Sequence, residues 1–81
     1  MSDSLALVIA RAIRAERARN GLSQTELGRL LGWSQSKVTA IETGTRRLYA
    51  HELPEVCEAL GVGLLDLLAR ADRRDLNRMK L

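Results

Sequence analysis

The sequence predicts an all-α domain of five short helices, and three observations lead to this prediction. Hydrophobic residues make up 46% of the 81 residues, yet Phe is absent and Trp33 and Tyr49 are the only aromatic residues. A core of Leu, Ile, Val and Ala suits packed helices better than a sheet. Apolar residues recur at helical spacings between capping signals. We therefore expect one compact domain, residues 1–81, whose small core would gain stability from pairing with a second copy.

The first helix is predicted from a cap at Ser4 to an ending at Asn20-Gly21. Its apolar face is formed by Leu5, Val8, Ile9, Ala12 and Ile13. Glu16 lies on the same stripe by angle, so its carboxylate must either find a partner or emerge at the end of the helix.

Two capping signals predict the next pair of helices. Ser23 and Glu26 form a capping box at the start of the second helix, which ends near Gly32. Ser34 then caps a third helix that ends at Gly44. The inward side chains are predicted to be Leu27, Leu30, Leu31, Val38 and Ile41. Because the connection between these helices is so short, they must cross sharply, which is the helix-turn-helix arrangement.

Two further helices follow a loop at residues 45–48. The fourth has Pro54 within its first turn and an apolar face of Leu53, Val56, Cys57 and Leu60. The fifth has an apolar face of Leu64, Leu67, Leu68 and Ala71, with Leu65 pointing to one side. A break is expected near Asp72, after which residues 72–81 form a short sixth helix or a mobile arm.

Composition argues against several classes of protein. Cys57 and His51 are the only residues of their kinds, so one chain can assemble neither a disulfide nor a zinc site, and no cofactor is expected. Cys57 at a core position is predicted to be a small buried hydrophobe, not a nucleophile. Paired carboxylates for acid-base catalysis would need a pocket, and a chain of this size offers little room for one. We therefore do not expect an enzyme. The N-terminus is predicted to be neither a signal peptide nor a membrane span, and a cytoplasmic location is expected.

The outward face of the third helix carries the functional prediction. Gln35, Ser36, Thr39, Ala40 and Thr43 share this face, which is small, polar and free of charge. A merely solvated face would normally be rich in Lys and Glu. Small polar side chains suit close approach to base edges in a major groove, where Gln bonds adenine and an Ala methyl meets a thymine methyl. The net charge of +3 permits a polyanionic partner without requiring one.

The run from Gly21 to Gly44, GLSQTELGRLLGWSQSKVTAIETG, resembles the lambda repressor and Cro family, also called the Xre family. The likeness extends from about Ile13 to Leu68, with the helix-turn-helix at residues 23–43. The resemblance implies that four side chains of the third helix read bases, namely Gln35, Ser36, Thr39 and Ala40. It also implies contacts to the DNA backbone from Gln24, Ser34, Lys37, Thr43, Arg46 and Arg47.

The resemblance further implies several structural roles. Gln24 would hold a phosphate and steady Gln35, and an Arg17 to Glu42 ion pair would link the first and third helices, with Glu16 joining through a nearby arginine. The chain departs from the family pattern at Gly28, where Ala is usual, and at Trp33, where a small aliphatic residue is usual. Gly28 allows close helix approach, whereas Trp33 is either a core residue or one that leans towards DNA.

Two classes of function are compatible with these features. The first is a transcriptional regulator that binds double-stranded DNA as a homodimer on an inverted repeat, with half-sites about 34 to 36 Å apart. A phage Cro-like or immunity repressor fits best, and a restriction-modification controller or antitoxin shares the resemblance. The second is a protein-interaction module, motivated by Leu65, Leu76 and Met79, which serve a homodimer interface equally well. Neither a membrane nor a small-molecule ligand is expected.

Overall fold

The computed structural model describes residues 4–70, and this part of the chain is helical without strands, which confirms the all-α prediction. The five helices are α1 (Ser4–Arg19), α2 (Gln24–Leu31), α3 (Gln35–Glu42), α4 (Glu52–Leu60) and α5 (Leu64–Ala69). Helix α1 begins at Ser4 in the described part of the chain, and the cap predicted there stays a prediction. Ala71 and the predicted tail at 72–81, with Leu76 and Met79, lie outside the described residues.

The predicted caps set the start of both helices of the motif. The Glu26 N–H donates to Ser23 Oγ at 3.0 Å, and the Ser23 N–H donates to Glu26 Oε1 at 2.8 Å, which confirms the capping box. Ser34 Oγ accepts from the Lys37 N–H at 3.1 Å at the start of α3. Between them, Gly32 has a φ of 73°, a left-handed conformation that ends α2 at little cost for glycine.

All five helices contribute to one core. Helix α1 packs on α3, α4 and α5, whereas α2 packs on α3 and α4. The largest fully buried side chains, one from each helix, are Ile13, Leu27, Val38, Val56 and Leu67. Cys57 is buried among them, and burial raises the pKa of its thiol, as expected for a hydrophobic role. The motif therefore rests on a platform of α1, α4 and α5.

Helix α2 and the turn after it approach more closely than any residue but glycine allows. A Cβ atom on Gly28 would lie 2.7 Å from the backbone oxygen of Trp33. The Trp33 N–H donates to the Gly28 oxygen at 2.8 Å, and the half-buried Trp33 side chain packs against the core. Gly28 thus fixes how closely the turn lies on α2, and Trp33 belongs in part to the core.

Three leucines predicted to face inward are exposed instead. Leu30 is 60% exposed, because the buried face of α2 runs through Leu27 and Gly28 and leaves Leu30 on the far side. Leu5 and Leu64 are 47% and 44% exposed, since each lies in the first turn of its helix with few neighbours. The predicted position of Pro54 in the first turn of α4 is confirmed.

Candidate DNA-binding interface

The outward face of α3 forms a shallow depression of about 420 Å³. Its lining residues are Gln35, Ser36, Thr39, Ala40, Thr43 and Thr45. Gln35, Ser36 and Thr43 are exposed, whereas Thr39 and Ala40 are half-buried. Every lining side chain is uncharged. The four residues predicted to read bases, Gln35, Ser36, Thr39 and Ala40, all lie on this one surface. Thr45, which was not predicted, joins them from the loop after α3.

Gln24 is tied to α3 through residues other than the predicted Gln35. Thr39 Oγ1 donates to Gln24 Oε1 at 2.6 Å, and Gln24 Nε2 donates to Glu42 Oε1 at 3.1 Å. The hydrogen bond to Gln35 comes instead from Thr25, whose Oγ1 donates to Gln35 Oε1 at 3.3 Å. Thr25 was not predicted from the sequence. Its position in the first turn of α2, beside Gln24, could have indicated that it contacts the start of α3.

The Arg17 guanidinium links the first and third helices. Arg17 Nε donates to Glu42 Oε2 at 2.7 Å and its Nη2 donates to Glu42 Oε1 at 3.0 Å. Its Nη1 donates to the Leu22 backbone oxygen at 2.7 Å. The hydrogen bond to Glu42 raises the pKa of Arg17, and the two-pronged geometry fixes the C-terminal end of α3 relative to α1.

Glu16 forms a separate ion pair and does not join the Arg17 to Glu42 pair. Its buried carboxylate accepts a hydrogen bond from Arg19 and another, at 2.8 Å, from Arg70 Nη1. Consecutive residues of a helix point about 100° apart, so Glu16 faces α5 while Arg17 faces α3. Of the two alternatives predicted for Glu16, the structure thus shows a partnered carboxylate, with one partner supplied by Arg70, the residue that follows α5.

Two cations predicted to contact the DNA backbone are held by Glu52, at the start of α4. Lys37 Nζ lies 2.9 Å from Glu52 Oε2, and Arg46 Nη1 lies 3.4 Å from Glu52 Oε1. Lys37 Nζ also lies 4.0 Å from the centre of the Trp33 ring, and Arg46 stacks over Tyr49 at 5.2 Å. Both cations are therefore partly neutralised within the protein.

Glu52 was not singled out from the sequence, because an acidic residue in the first turn of a helix is common. Its side chain is only 6% exposed, and Oε1 also accepts from the Tyr49 N–H at 2.9 Å. Burial raises the pKa of Glu52, but hydrogen bonds from Lys37, the Tyr49 N–H and Arg46 outweigh burial and lower it to about 2. Glu52 is thus firmly ionised near neutral pH.

A family model described as a helix-turn-helix domain matches residues 8–71, which is most of the chain. The chain belongs to the helix-turn-helix domain family. This agrees with the resemblance to lambda repressor and Cro seen in the sequence.

Solved structures similar to this helix-turn-helix domain include transcription regulators. The clp gene regulator ClgR from C. glutamicum is 29% identical, with a TM-score of 0.76 over 80% of this chain and 83% of that one. The restriction-modification controller protein C.AhdI from Aeromonas hydrophila is 27% identical, with a TM-score of 0.71 over 76% and 94%. The hypothetical transcription factor NHTF from Neisseria is 28% identical, with a TM-score of 0.77 over 100% and 90%. No curated protein matches the chain significantly.

Helix-turn-helix domains place the second helix of the motif in the major groove of DNA, and this helix is α3 here. Around it, Arg47 is exposed, and its guanidinium forms no ion pair within residues 4–70. Thr43 Oγ1 donates to the Thr39 oxygen at 2.9 Å, so its hydroxyl retains acceptor capacity. Ser34, at the N-terminus of α3, is exposed beside backbone N–H groups that suit a phosphate.

Other kinds of site find no support in the described part of this helix-turn-helix domain. Across residues 4–70 no group of His, Cys, Asp and Glu side chains could hold a metal ion. Within the same range, none of the helices has the length and apolar character needed to cross a membrane.

Proposed function

We propose that this protein is a transcriptional regulator that recognises a specific sequence in double-stranded DNA by placing α3 in the major groove. The observation that carries the proposal is the exposed, uncharged polar face of α3, which lines a shallow depression on the surface of the motif. An α helix fits the major groove, where each base pair presents a distinct pattern of donors and acceptors. Small polar side chains can approach those base edges without a desolvated charge.

The base-reading role falls to four side chains of this face, of which Gln35 and Ser36 are exposed and Thr39 and Ala40 are half-buried. Gln35 can form paired hydrogen bonds with adenine, while Ser36 can donate or accept and the Ala40 methyl can meet a thymine methyl. Thr39 contributes mainly as an acceptor and through its methyl group, since its hydroxyl proton is donated to Gln24. Each good contact of this kind contributes roughly 1 to 3 kcal/mol of discrimination between bases.

Contacts to the phosphates would fix the position of α3 without reading sequence. We assign this role to Arg47, because it is exposed in the loop that follows α3 and forms no ion pair within residues 4–70. Ser34 and Gln24 flank the same face and can donate neutral hydrogen bonds. Thr43 lies on the face itself, and its hydroxyl would first have to release the Thr39 oxygen before it could donate to a phosphate. Lys37 and Arg46, which the sequence also assigned to the phosphates, would first have to leave Glu52.

The protein is proposed to act as a homodimer on an inverted repeat. Leu65 of α5 is 80% exposed and lies next to the partly exposed Leu64, a small apolar patch suited to a second copy of the chain. A two-fold axis would place two copies of α3 about 34 to 36 Å apart, one helical turn of DNA.

The biological setting is proposed from similarity. The likeness to the controller protein C.AhdI supports a restriction-modification controller, and the likeness to ClgR supports a regulator of other genes. The phage repressor and antitoxin settings remain predictions from the sequence. A protein-interaction module is the second candidate, because Leu65 would serve a different protein partner as well as a second copy.

Selection from a library of random DNA duplexes, at roughly physiological salt where phosphate attraction is weakened, tests the proposal. We expect enrichment of a two-fold symmetric motif that is lost with the double variant Gln35→Ala, Ser36→Ala. The matched control is Glu55→Ala, Glu58→Ala, which alters two exposed side chains of α4. Failure of the folded wild type to enrich any motif would contradict specific recognition and favour the protein-interaction function.

A further inference from the structure

Glu52 occupies an unusual position for an acidic residue in a protein that binds a polyanion. Its carboxylate is buried directly behind the flank of α3, where it holds Lys37 from the recognition helix and Arg46 from the following loop. These two cations border the face that lines the depression on α3. A helix in the major groove has its flanks near the sugar-phosphate strands, so free cations here would reach phosphates.

We propose that Glu52 limits the sequence-independent attraction of this protein for DNA by withholding Lys37 and Arg46 from the phosphates. The inference rests on the proposed DNA-binding function. It assigns to Glu52 control over the attraction between the protein's cations and the DNA phosphates. Non-specific binding to DNA comes almost entirely from cations that neutralise phosphates and release counterions. A protein that withholds two such cations depends more strongly on the contacts that α3 makes with the bases.

Three features show that both cations are held and not merely near an acidic residue. The Lys37 ammonium lies 2.9 Å from the Glu52 carboxylate and 4.0 Å from the centre of the Trp33 ring. The Arg46 guanidinium lies 3.4 Å from the Glu52 carboxylate and 5.2 Å from the centre of the Tyr49 ring. The Glu52 carboxylate is itself fixed by the Tyr49 N–H. Arg47, the next residue along the loop, has no such partner among the described residues and stays available to phosphate.

The test compares Glu52→Gln with Glu55→Gln, which makes the same change of charge at an exposed position of the same helix. Binding to a mixed-sequence duplex is measured by fluorescence anisotropy between about 0.05 and 0.3 M salt, with folding checked by circular dichroism. Each new phosphate contact adds about 0.9 to the slope of log K against log salt. We therefore expect Glu52→Gln to steepen the slope by about 0.9 to 1.8 and to raise affinity about tenfold at 0.1 M salt, relative to Glu55→Gln.

A second variant assigns the gain to the released cation. Adding Lys37→Gln to Glu52→Gln should remove about half of the increase in slope. Equal slopes and affinities for Glu52→Gln and Glu55→Gln would overturn the inference while leaving sequence-specific recognition intact. Absence of DNA binding by the wild type and all variants, even at low salt, would overturn both proposals.

If Glu52→Gln does not fold, two variants that retain Glu52 decide the question. Arg47→Gln should lower the salt slope by about 0.9, because it removes a cation that is available to phosphate. Lys37→Gln should lower the slope by less than half of that amount, because its charge is already engaged. An equal loss for the two variants would contradict the inference.

Discussion

Single residues decide how the two helices of the motif meet. Gly28 lies where the backbone oxygen of Trp33 would be 2.7 Å from any Cβ atom, so its lack of a side chain sets the distance between α2 and the turn. The same close approach rotates the buried face of α2 towards Gly28 and leaves Leu30 in solvent. The close approach of the turn to α2 therefore depends on a residue that lies outside the outward face of α3.

Gly28→Ala tests this account by the sign of its effect on stability. Replacing Gly by Ala in an open helix interior would stabilise the protein by up to about 1 kcal/mol. Here the new methyl group meets backbone, and such overpacking costs about 1 to 3 kcal/mol. With the full gain set against that cost, we expect a net loss of up to about 2 kcal/mol in urea unfolding, whereas a gain in stability would contradict the close approach.

The starts of helices were predictable from the sequence where nearby residues set them. Ser23 and Ser34 cap the helices that follow them through hydrogen bonds three residues away, so their effect is visible in the sequence itself. The outward face of α3 followed in the same way from helical spacing.

Contacts between elements were only partly predictable. The Arg17 to Glu42 pair followed from the family resemblance and forms in the structure. The pairing of Lys37 and Arg46 with Glu52 depends on how α4 packs beside α3, which no local pattern reveals. Thr25 replaced Gln24 as the partner of Gln35 for a similar reason, since side-chain hydrogen bonds between helices depend on their exact separation.

The link between α3 and α4 predicts how stability depends on pH. The pKa of Glu52 is about 2 in the folded protein, below its ordinary value of 4.5, so the folded state favours the ionised carboxylate. Its contribution is complete above pH 5 and is lost as the pH falls towards 2. In urea unfolding between pH 5 and 2, Glu52→Gln should lose less stability than the wild type, while Glu55→Gln should follow the wild type. Parallel losses for Glu52→Gln and the wild type would exclude this role.

Across residues 4–70, helices α1, α4 and α5 form a platform on which α2 and α3 pack. A small apolar patch, Leu64 and Leu65, is exposed on α5. The family was accessible from the sequence because the run from Gly21 to Gly44 carries a long continuous motif, and the helix-turn-helix family model matches residues 8–71. The dimer stays a prediction, since its remaining candidate residues, Leu76 and Met79, lie outside the described residues.

Leu65→Glu tests the proposed homodimer. A charge at the centre of an apolar interface is costly to bury, so we expect a dimeric wild type to become monomeric at micromolar concentration in light scattering. Leu30→Glu is the matched control, because Leu30 is also exposed but lies on α2, and it should keep the mass of the wild type. An unchanged mass for Leu65→Glu would remove α5 from the interface.

In the proposed complex α3 reads bases, while exposed cations such as Arg47 only hold phosphates. Repeating the selection from random duplexes with Gln35→Ala and with Arg47→Gln, and comparing the enriched motif position by position, separates the two roles. We expect Gln35→Ala to lose the preference at one base pair of each half-site, whereas Arg47→Gln should keep the whole motif and bind all sequences more weakly. An unchanged motif for Gln35→Ala, with affinity lowered equally for every sequence, would exclude base reading by Gln35.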